Sequence, residues 1–318
     1  MTPLLQFKPI YQERVWGGRG LESFLGRKLS GTAPIGESWE LVDRPEAQSV
    51  AAGGPWAGKS LREIMVTHGR DIMGPRWPMT RPFPILVKWL DCRERLSLQV
   101  HPPASVAVKL GGEPKTENWY IARAEPGAAV LAGLKPEVDS AAFRAALKNN
   151  TAESLVHRWP TQAGDSLLIR SGVMHAIDGG NLILEIQQNS DTTYRVYDWG
   201  RVGLDGKPRA MHVEQSMASL EANTAGTPLL VRSSDKKAAL AECREFRITR
   251  HQLRGGEDLA FGASEQARII SVVSGTVKTV GTTLGPGDTA LLPYAGAFAF
   301  VAGQDAVVLV TDNFSSLD

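Results

Sequence analysis

Residues 98–102 read LQVHP, an apolar–polar alternation typical of a short β-strand that ends at a proline. Successive side chains of a strand point to opposite faces, so Gln99 and His101 project from the same face. An amide oxygen and an imidazole placed together can bind one metal ion. The stretch therefore predicts half of a metal site, carried on one strand.

Two residues further along the chain supply the other half. Glu117 lies in KTENWY at 115–120, and His175 lies in GVMHAI at 172–177. A single histidine is more often a packed or surface residue than a ligand, but two imidazoles with a carboxylate and an amide oxygen reverse that expectation. This set suits a borderline divalent cation such as zinc, and it predicts a metalloenzyme.

The bulk composition excludes several other classes. The chain has 318 residues, 42% hydrophobic and 22% charged, with a formal net charge of +1, which is ordinary for a globular protein and suggests neither nucleic-acid nor membrane binding. Cys92 and Cys243 are far apart and outside any CxxC pattern. Without a signal-peptide pattern or a long apolar run, we expect a cytoplasmic protein.

Glycine (32) and proline (19) divide the chain into short segments. Runs rich in Val, Ile, Leu and Trp at 85–90, 166–169 and 181–186 predict a mainly β protein, a sandwich or barrel. Helical patterns are fewer and lie at 60–67, 104–110, 140–149 and 152–158. The last two predict a small helical insertion at about 138–160.

An internal repeat indicates two related barrels. GDSLLI at 164–169 resembles GDTALL at 287–292, and superposing them places Phe298 where the first copy has His175. The metal site is therefore expected only in the first barrel. The composition changes at 221–236, so we expect a catalytic domain at 1–220 and a C-terminal β domain at 237–318.

The segment 185–201, EIQQNSDTTYRVYDWGR, is too polar for an ordinary buried strand. A turn followed by an exposed edge strand would leave Tyr194, Tyr197 and Trp199 unusually exposed. An aromatic and arginine-rich lining of a pocket fits the composition better.

The order Gln-x-His, Glu and Gly-x-x-His ahead of Asn181 resembles the metal-binding pattern of cupin barrels, whose ligands point into the barrel mouth from neighbouring strands. The chain departs from that pattern twice. Gln99 stands where many cupins carry His, and Arg170 stands where many carry Pro. The pattern predicts a metal-binding barrel but no particular reaction.

Six ordered blocks resemble one family more specifically, the type I phosphomannose isomerases in their short bacterial form. They are VWGG at 15–18, IGESWE at 35–40, PILVK at 84–88, LSLQVHP at 96–102, KTENWY at 115–120 and QNSDTTYR at 188–195. They span the first two thirds of the chain, whereas the last hundred residues add only a β-rich pattern.

The resemblance implies a zinc-dependent aldose–ketose isomerase that interconverts mannose 6-phosphate and fructose 6-phosphate through a cis-enediol. It also implies one zinc ion per chain, held by Gln99, His101, Glu117 and His175. Arg195 matches the active-site arginine, Lys88 and Lys115 match lysines of the site, and Ser97 matches a serine that holds the phosphate. Pro103 departs from the acidic residue that often follows His-Pro.

The chemistry explains why such groups are needed. A Lewis-acidic metal stabilises the enediolate, and Arg195 stabilises its oxygens or binds the phosphate. Lys88, Lys115 or a water on the metal could carry the proton between the carbons, and the sequence leaves this choice open. Substrate binding by Ser97, Arg195 and Lys115 is expected. No Walker loop, nicotinamide fingerprint or nucleophile elbow is present.

Two rival functions remain at this level. The same ligand types could hold iron in a cupin oxygenase. Alternatively, the chain could bind a sugar phosphate without turning it over. The expected partner in the favoured interpretation is a small sugar phosphate, and both a monomer and a homodimer are compatible with the sequence.

Overall fold

The computed structural model describes residues 2–315, and it confirms the prediction of a mainly β protein, with about 40% strand and 16% helix. The strands in order are β1 Leu5–Gln6, β2 Ile10–Gly18, β3 Ile35–Leu41, β4 Asp43–Arg44, β5 Ala47–Gln48, β6 Ile85–Cys92, β7 Leu98–Val100, β8 Glu117–Ala124, β9 Ala129–Leu134, β10 Val156–Pro160, β11 Ser166–Ile169, β12 His175–Ile177, β13 Asn181–Gln188, β14 Tyr194–Tyr197, β15 Leu230–Val231, β16 Lys237–Glu242, β17 Arg247–Leu253, β18 Asp258–Phe261, β19 Arg268–Ser274, β20 Val277–Thr279, β21 Thr282–Leu284, β22 Thr289–Leu292, β23 Phe298–Ala302 and β24 Ala306–Asp312.

The helices are short and lie between strands. They are α1 Gly20–Leu25, α2 Leu61–Met73, α3 Ala104–Ala107, α4 Ser140–Lys148 and α5 Val213–Glu221, with 3₁₀ turns at Gly54–Trp56, Val108–Leu110 and Ala152–Leu155. Within residues 2–315 no helix is long and apolar enough to cross a membrane.

Two antiparallel sheets form the first sandwich. A seven-stranded sheet has the order β15-β11-β8-β13-β6-β3-β2, and a five-stranded sheet has the order β10-β9-β12-β7-β14. Trp119 and Ile183 of the first sheet pack with Val130 and Ile177 of the second in one buried cluster. Alternate residues of each strand thus point into a shared interior, as expected for packed sheets.

The second sandwich pairs a six-stranded sheet, β1-β22-β19-β24-β17-β16, with a four-stranded sheet, β18-β23-β20-β21. The repeated Gly-Asp segments occupy equivalent places, because Gly164 and Gly287 both adopt positive φ shortly before β11 and β22. Phe298 begins β23 within an apolar cluster. The residue that the superposed repeat aligns with His175 is therefore packed in an apolar cluster.

The two sandwiches share a core. Trp89 and Leu184, on the outer face of the seven-stranded sheet, belong to the same buried cluster as Ile248 and Leu309 of the six-stranded sheet. The N-terminal strand β1 pairs with β22, so it joins the second sandwich. The division into domains at 1–220 and 237–318 stays a prediction.

One expected helix is wrong. Residues 152–155 form a 3₁₀ turn, and the chain then enters β10, which pairs with β9 along the edge of the five-stranded sheet. The insertion expected at about 138–160 is therefore helical only up to Leu155. Backbone hydrogen bonds to an available sheet edge outweigh the local helical pattern here.

Candidate metal centre

The interior of the first sandwich brings together side chains from both of its sheets. In the five-stranded sheet, Gln99 lies directly opposite His175 on one side and Arg195 on the other. Residues paired in this way carry their side chains on the same face. Glu117 enters from β8 in the facing sheet, and His101 follows β7. Donors separated by up to 76 positions in the sequence therefore meet because sheet register aligns them.

Three of the predicted ligands converge tightly. One ligand atom from each of His101, Glu117 and His175 lies within 4.8 Å of the other two, and this is the one such group found among residues 2–315. His101 Nε2 is 3.2 Å from Glu117 Oε2, and His175 Nε2 is 3.6 Å from Glu117 Oε1. All three residues are at most 1% exposed.

Three buried polar atoms of this group have no hydrogen-bond partner, and a bound cation would supply a partner. His101 Nε2 and both carboxylate oxygens of Glu117 are buried without a partner in hydrogen-bond geometry. Unsatisfied buried acceptors are costly, and a metal ion removes that cost. The residues present therefore fit a divalent cation.

The outer nitrogens of both imidazoles are held by backbone carbonyls. His101 Nδ1 lies 2.8 Å from Thr192 O, and His175 Nδ1 lies 2.8 Å from Val173 O. A carbonyl accepts only from N–H, so each contact places the proton on Nδ1 and leaves Nε2 free to coordinate. Such contacts orient metal-binding histidines.

The pKa shifts of the three residues favour the protonation states that can bind a cation. Burial, with the Lys115 charge as a further cause, lowers the pKa of His101 to about 3, and burial also lowers the pKa of His175. Both rings are thus neutral at physiological pH. Burial alone would raise the pKa of Glu117, but Lys115 and His101 hold it well below its usual value. The carboxylate therefore stays ionised.

Gln99 reaches the group through its amide. Its Nε2 lies 3.3 Å from His175 Nε2, while Ser97 donates from Oγ to its Oε1 at 3.1 Å. A half-turn of the amide would direct Oε1 toward the ligands and let Nε2 donate to Ser97. Arg195 donates from Nε to the same Ser97 Oγ at 3.2 Å, so a chain of hydrogen bonds joins Arg195 to the centre.

The two predicted lysines take different positions. Lys115 Nζ lies 3.1 Å from Glu117 Oε2, in contact with the ligand group. Burial opposes its charge, but Glu117 and Glu185 raise the pKa of Lys115. Lys88 lies apart, 3.8 Å from carboxylate oxygens of Glu37, Glu185 and Asp191, and 4.7 Å above the ring of Trp39.

Glu185 is a buried site residue that the sequence reasoning did not single out. It stands opposite Lys88 in the sheet and accepts a hydrogen bond from Trp119 Nε1 at 3.0 Å. Burial, together with the charge of Glu117, raises the pKa of Glu185 to about 7. The sequence signal that could have identified Glu185 is a carboxylate inside the apolar run 181–186.

Glu37 on β3 is a second buried carboxylate near Lys88, and its charge state is the opposite. Burial favours its neutral form, but the charges of Lys88 and Arg14 outweigh burial and lower the pKa of Glu37 to about 2. Its Oε2 also accepts from Trp39 Nε1 at 2.6 Å. Glu37 is therefore ionised at neutral pH, whereas burial and the charge of Glu117 shift the pKa of Glu185 in the direction that favours its neutral form.

The composition of segment 185–201 suggested that its aromatic residues are covered and line a pocket, and the structure agrees with the first part. Tyr194 is buried, with its hydroxyl donating to Leu110 O at 2.8 Å, and Trp199 donates to Leu96 O at 2.8 Å. Arg195 is only partly covered and faces Ser97. The aromatic residues therefore support the strand that carries the arginine rather than lie exposed.

A buried His₂Glu group inside a double sheet, flanked by Lys115 and Arg195, defines a β-sandwich protein with a candidate metal centre. Comparison with known proteins is more specific. The family model "Phosphomannose isomerase type I, catalytic domain" matches residues 4–139. Mannose-6-phosphate isomerase ManA of Bacillus subtilis (strain 168) is 32% identical over 321 residues, covering 96% of this chain and 98% of the relative.

Two further comparisons point to the same family. Probable mannose-6-phosphate isomerase GmuF of the same strain is 37% identical over 220 residues, 68% of each chain. The crystal structure of the mannose 6-phosphate isomerase from Bacillus subtilis superimposes with a TM-score of 0.84 at 28% identity, over 98% of this chain and 99% of the other. The chain belongs to the type I phosphomannose isomerase family, and it is an isomerase.

Proposed function

We propose that the centre formed by His101, Glu117 and His175 binds one zinc ion per chain and that the chain interconverts mannose 6-phosphate and fructose 6-phosphate through a cis-enediol. The observation that carries the proposal is the set of buried ligand atoms without partners, adjacent to a lysine and an arginine. Gln99 is the proposed fourth ligand. Zinc would act as a Lewis acid toward the carbonyl and its neighbouring hydroxyl.

The protein side chains divide the remaining work. Arg195 stays cationic at neutral pH even though burial lowers its pKa, and with Ser97 it offers donors to a phosphate or to enediolate oxygens. Lys115 presents an ammonium beside Glu117 and is proposed to contact substrate. Burial excludes water from this end of the site, which strengthens each of these interactions.

The candidate proton carriers are Lys115, Lys88 and a water on the metal. Lys115 is in contact with the ligand group, which favours it on geometry, and the positive charge of a bound metal would lower its pKa so that it can accept a proton. Lys88 is enclosed by three carboxylates. Those ion pairs suit Lys88 to balance the charge of the neighbouring Glu185 and Glu37 rather than to move a proton.

The variants Lys115→Met, Lys88→Met and Arg195→Met test these roles in proteins that retain zinc. We expect Lys115→Met to lower kcat by at least about a hundredfold, within the range of a lost general acid–base. Turnover at the wild-type rate in both lysine variants would eliminate a lysine base. Arg195→Met is expected to lower kcat/KM for the phosphorylated sugar.

Metal removal tests the centre itself. Activity should disappear on chelation and return when zinc is added back. Activity that is indifferent to the chelator would overturn the metal-dependent mechanism, and oxygen consumption with iron would favour an oxygenase instead.

A further inference from the structure

A cavity lined by polar and charged residues lies between the two sandwiches, away from the metal centre. Its volume is about 330 Å³, and its lining includes Tyr120, Asp165, Arg232, Arg250 and Gln252. Tyr120 lies on β8, three positions after Glu117, and faces the opposite side of the sheet. The cavity is therefore separated from the proposed reaction site by the seven-stranded sheet.

Arg250, in β17, is the unusual residue of this cavity. It is only 2% exposed, yet within residues 2–315 no carboxylate oxygen lies within 4.0 Å of its guanidinium. Its Nη2 donates to Asp235 O at 2.7 Å, and its buried Nε has no partner. Buried cations are normally paired because desolvation is costly. This one borders a space large enough for a counter-ion.

The remaining charges around the cavity do not neutralise Arg250. Arg232 donates two hydrogen bonds to Asp165, at 2.9 and 3.1 Å, so the buried carboxylate of Asp165 is already paired. The Asp235 carboxylate accepts from Ser233 and makes no ion pair with Arg250. Two guanidiniums thus line the cavity with one buried carboxylate between them, which leaves one positive charge in excess.

Uncharged donors complete the lining. Tyr120 and Ser274, with their hydroxyl groups, and Gln252, with its amide, line the same space. Burial raises the pKa of Tyr120 although Arg250 opposes the shift, so its hydroxyl keeps its proton at neutral pH. Several donors around an excess positive charge suit a tetrahedral oxyanion with several acceptor oxygens.

We propose that this cavity binds a phosphate-type oxyanion, either inorganic phosphate or the phosphoryl group of a phosphorylated metabolite, with Arg250 as its principal cationic contact. Tyr120 and Asp165 belong to the first sandwich and Arg250 belongs to the second. The bound anion therefore ties the two sandwiches together. No residue of the metal centre takes part.

Phosphate binding at the metal centre must be separated from binding here, so the test compares two proteins that both carry Arg195→Met. One keeps Arg250 and the other carries Arg250→Met. Calorimetric titration with inorganic phosphate should show at least tenfold weaker binding without Arg250, and phosphate should raise the Tm of the first protein only. Arg254→Met, which removes an exposed arginine just after the same strand, is the matched control and should bind as its parent does.

A second variant keeps the test decisive if Arg250→Met does not fold. Gln252→Glu places a carboxylate in the cavity, where it can pair with Arg250. It should raise the Tm of the phosphate-free protein and weaken phosphate binding at least tenfold. Unchanged phosphate binding in Gln252→Glu, or equal phosphate binding by the two proteins that differ at position 250, would overturn the proposal.

Titration with glucose 1-phosphate distinguishes the two sources of the phosphoryl group. Tighter binding than that of inorganic phosphate, lost with Arg250→Met, assigns the cavity to a phosphorylated metabolite, and the reverse order assigns it to inorganic phosphate. The comparison does not depend on the isomerase mechanism, because the paired proteins differ only at position 250.

Discussion

Glu117 is the residue at which the charges of the centre meet, since His101, His175 and Lys115 all approach its carboxylate. Glu117→Gln keeps the size of the side chain and removes the charge that a cation needs. Under the proposed function, the variant should lose zinc and its kcat/KM should fall by at least about a hundredfold, because the metal would supply several kcal/mol of transition-state stabilisation. Elemental analysis and a coupled assay for fructose 6-phosphate measure both quantities.

The control for this variant is Glu125→Gln, which makes the same change at an exposed position just after β8. It should keep both the metal and the rate. A Glu117→Gln protein with full zinc content and wild-type turnover would contradict the assignment of the centre.

The convergence of His101, Glu117 and His175 could be predicted from the sequence, whereas the carboxylates around Lys88 could not. Gln99 and His101 share a face because of strand alternation, which is a local property. Glu185 meets Lys88 only because β13 lies beside β6, a pairing across about a hundred residues. No local pattern specifies that register. The carboxylates around Lys88 therefore became visible only in the fold.

At the level of elements, α2 shows how a side chain determines where a helix begins. Ser60 accepts from the Glu63 backbone N–H, and the Glu63 side chain accepts from the Ser60 backbone N–H, which makes a capping box. The helix buries Leu61, Ile64 and Met65 in the shared core. Ser60→Ala should lower the free energy of unfolding by about 1 kcal/mol. Denaturant unfolding measures the change.

Ser23→Ala is the matched control, since this exposed serine lies inside α1 and caps no helix N-terminus. It should change the free energy of unfolding by less than about 0.5 kcal/mol. Equal effects of the two substitutions would show that the capping box does not stabilise α2.

Capping also explains much of which helices the sequence revealed. The helices α2 and α4 begin after Ser60 and Asp139, which both cap through their side chains, and both were predicted to begin within one residue of the observed position. The helices α1 and α5 follow Arg19 and His212, which make no side-chain cap, and neither was predicted. The short α3 is the exception, because it was predicted although Pro103 offers no side-chain cap. Without a cap, a short helix leaves little local signal.

At the level of the whole molecule, the Gly287 carbonyl connects the two sandwiches. It accepts from Arg27 Nη2 at 2.6 Å and from Trp89 Nε1 at 3.0 Å. The sequence repeat predicted two similar units, but not that their sheets would share a core. The strands β6 and β13 carry apolar residues on both faces. A sheet that is buried on both faces must pack against a second sheet or layer, and this explains the shared core.

Glu40 makes this junction sensitive to pH. It is buried, accepts from Ser38 Oγ at 2.5 Å and pairs with Arg27 at 2.9 Å. Burial nevertheless raises the pKa of Glu40 to about 7, with Asp288 of the second sandwich adding to the rise against the opposing charge of Arg27. Between about pH 4.5 and 7 the folded protein therefore keeps a proton that the unfolded chain has lost.

The stabilisation from that proton is complete below the unfolded pKa and is lost as the pH rises through about 7. Its size is on the order of 3 kcal/mol, since one pKa unit corresponds to about 1.4 kcal/mol. Glu40→Gln cannot titrate and can keep the contacts to Ser38 and Arg27. The free energy of unfolding of the wild type should therefore fall relative to that of the variant between about pH 5 and pH 8, as measured by denaturant unfolding at each pH.

Glu13→Gln changes an exposed carboxylate and is the control, so its free energy of unfolding should depend on pH as that of the wild type does. A constant difference between the wild type and Glu40→Gln across this range would mean that Glu40 does not titrate at the junction.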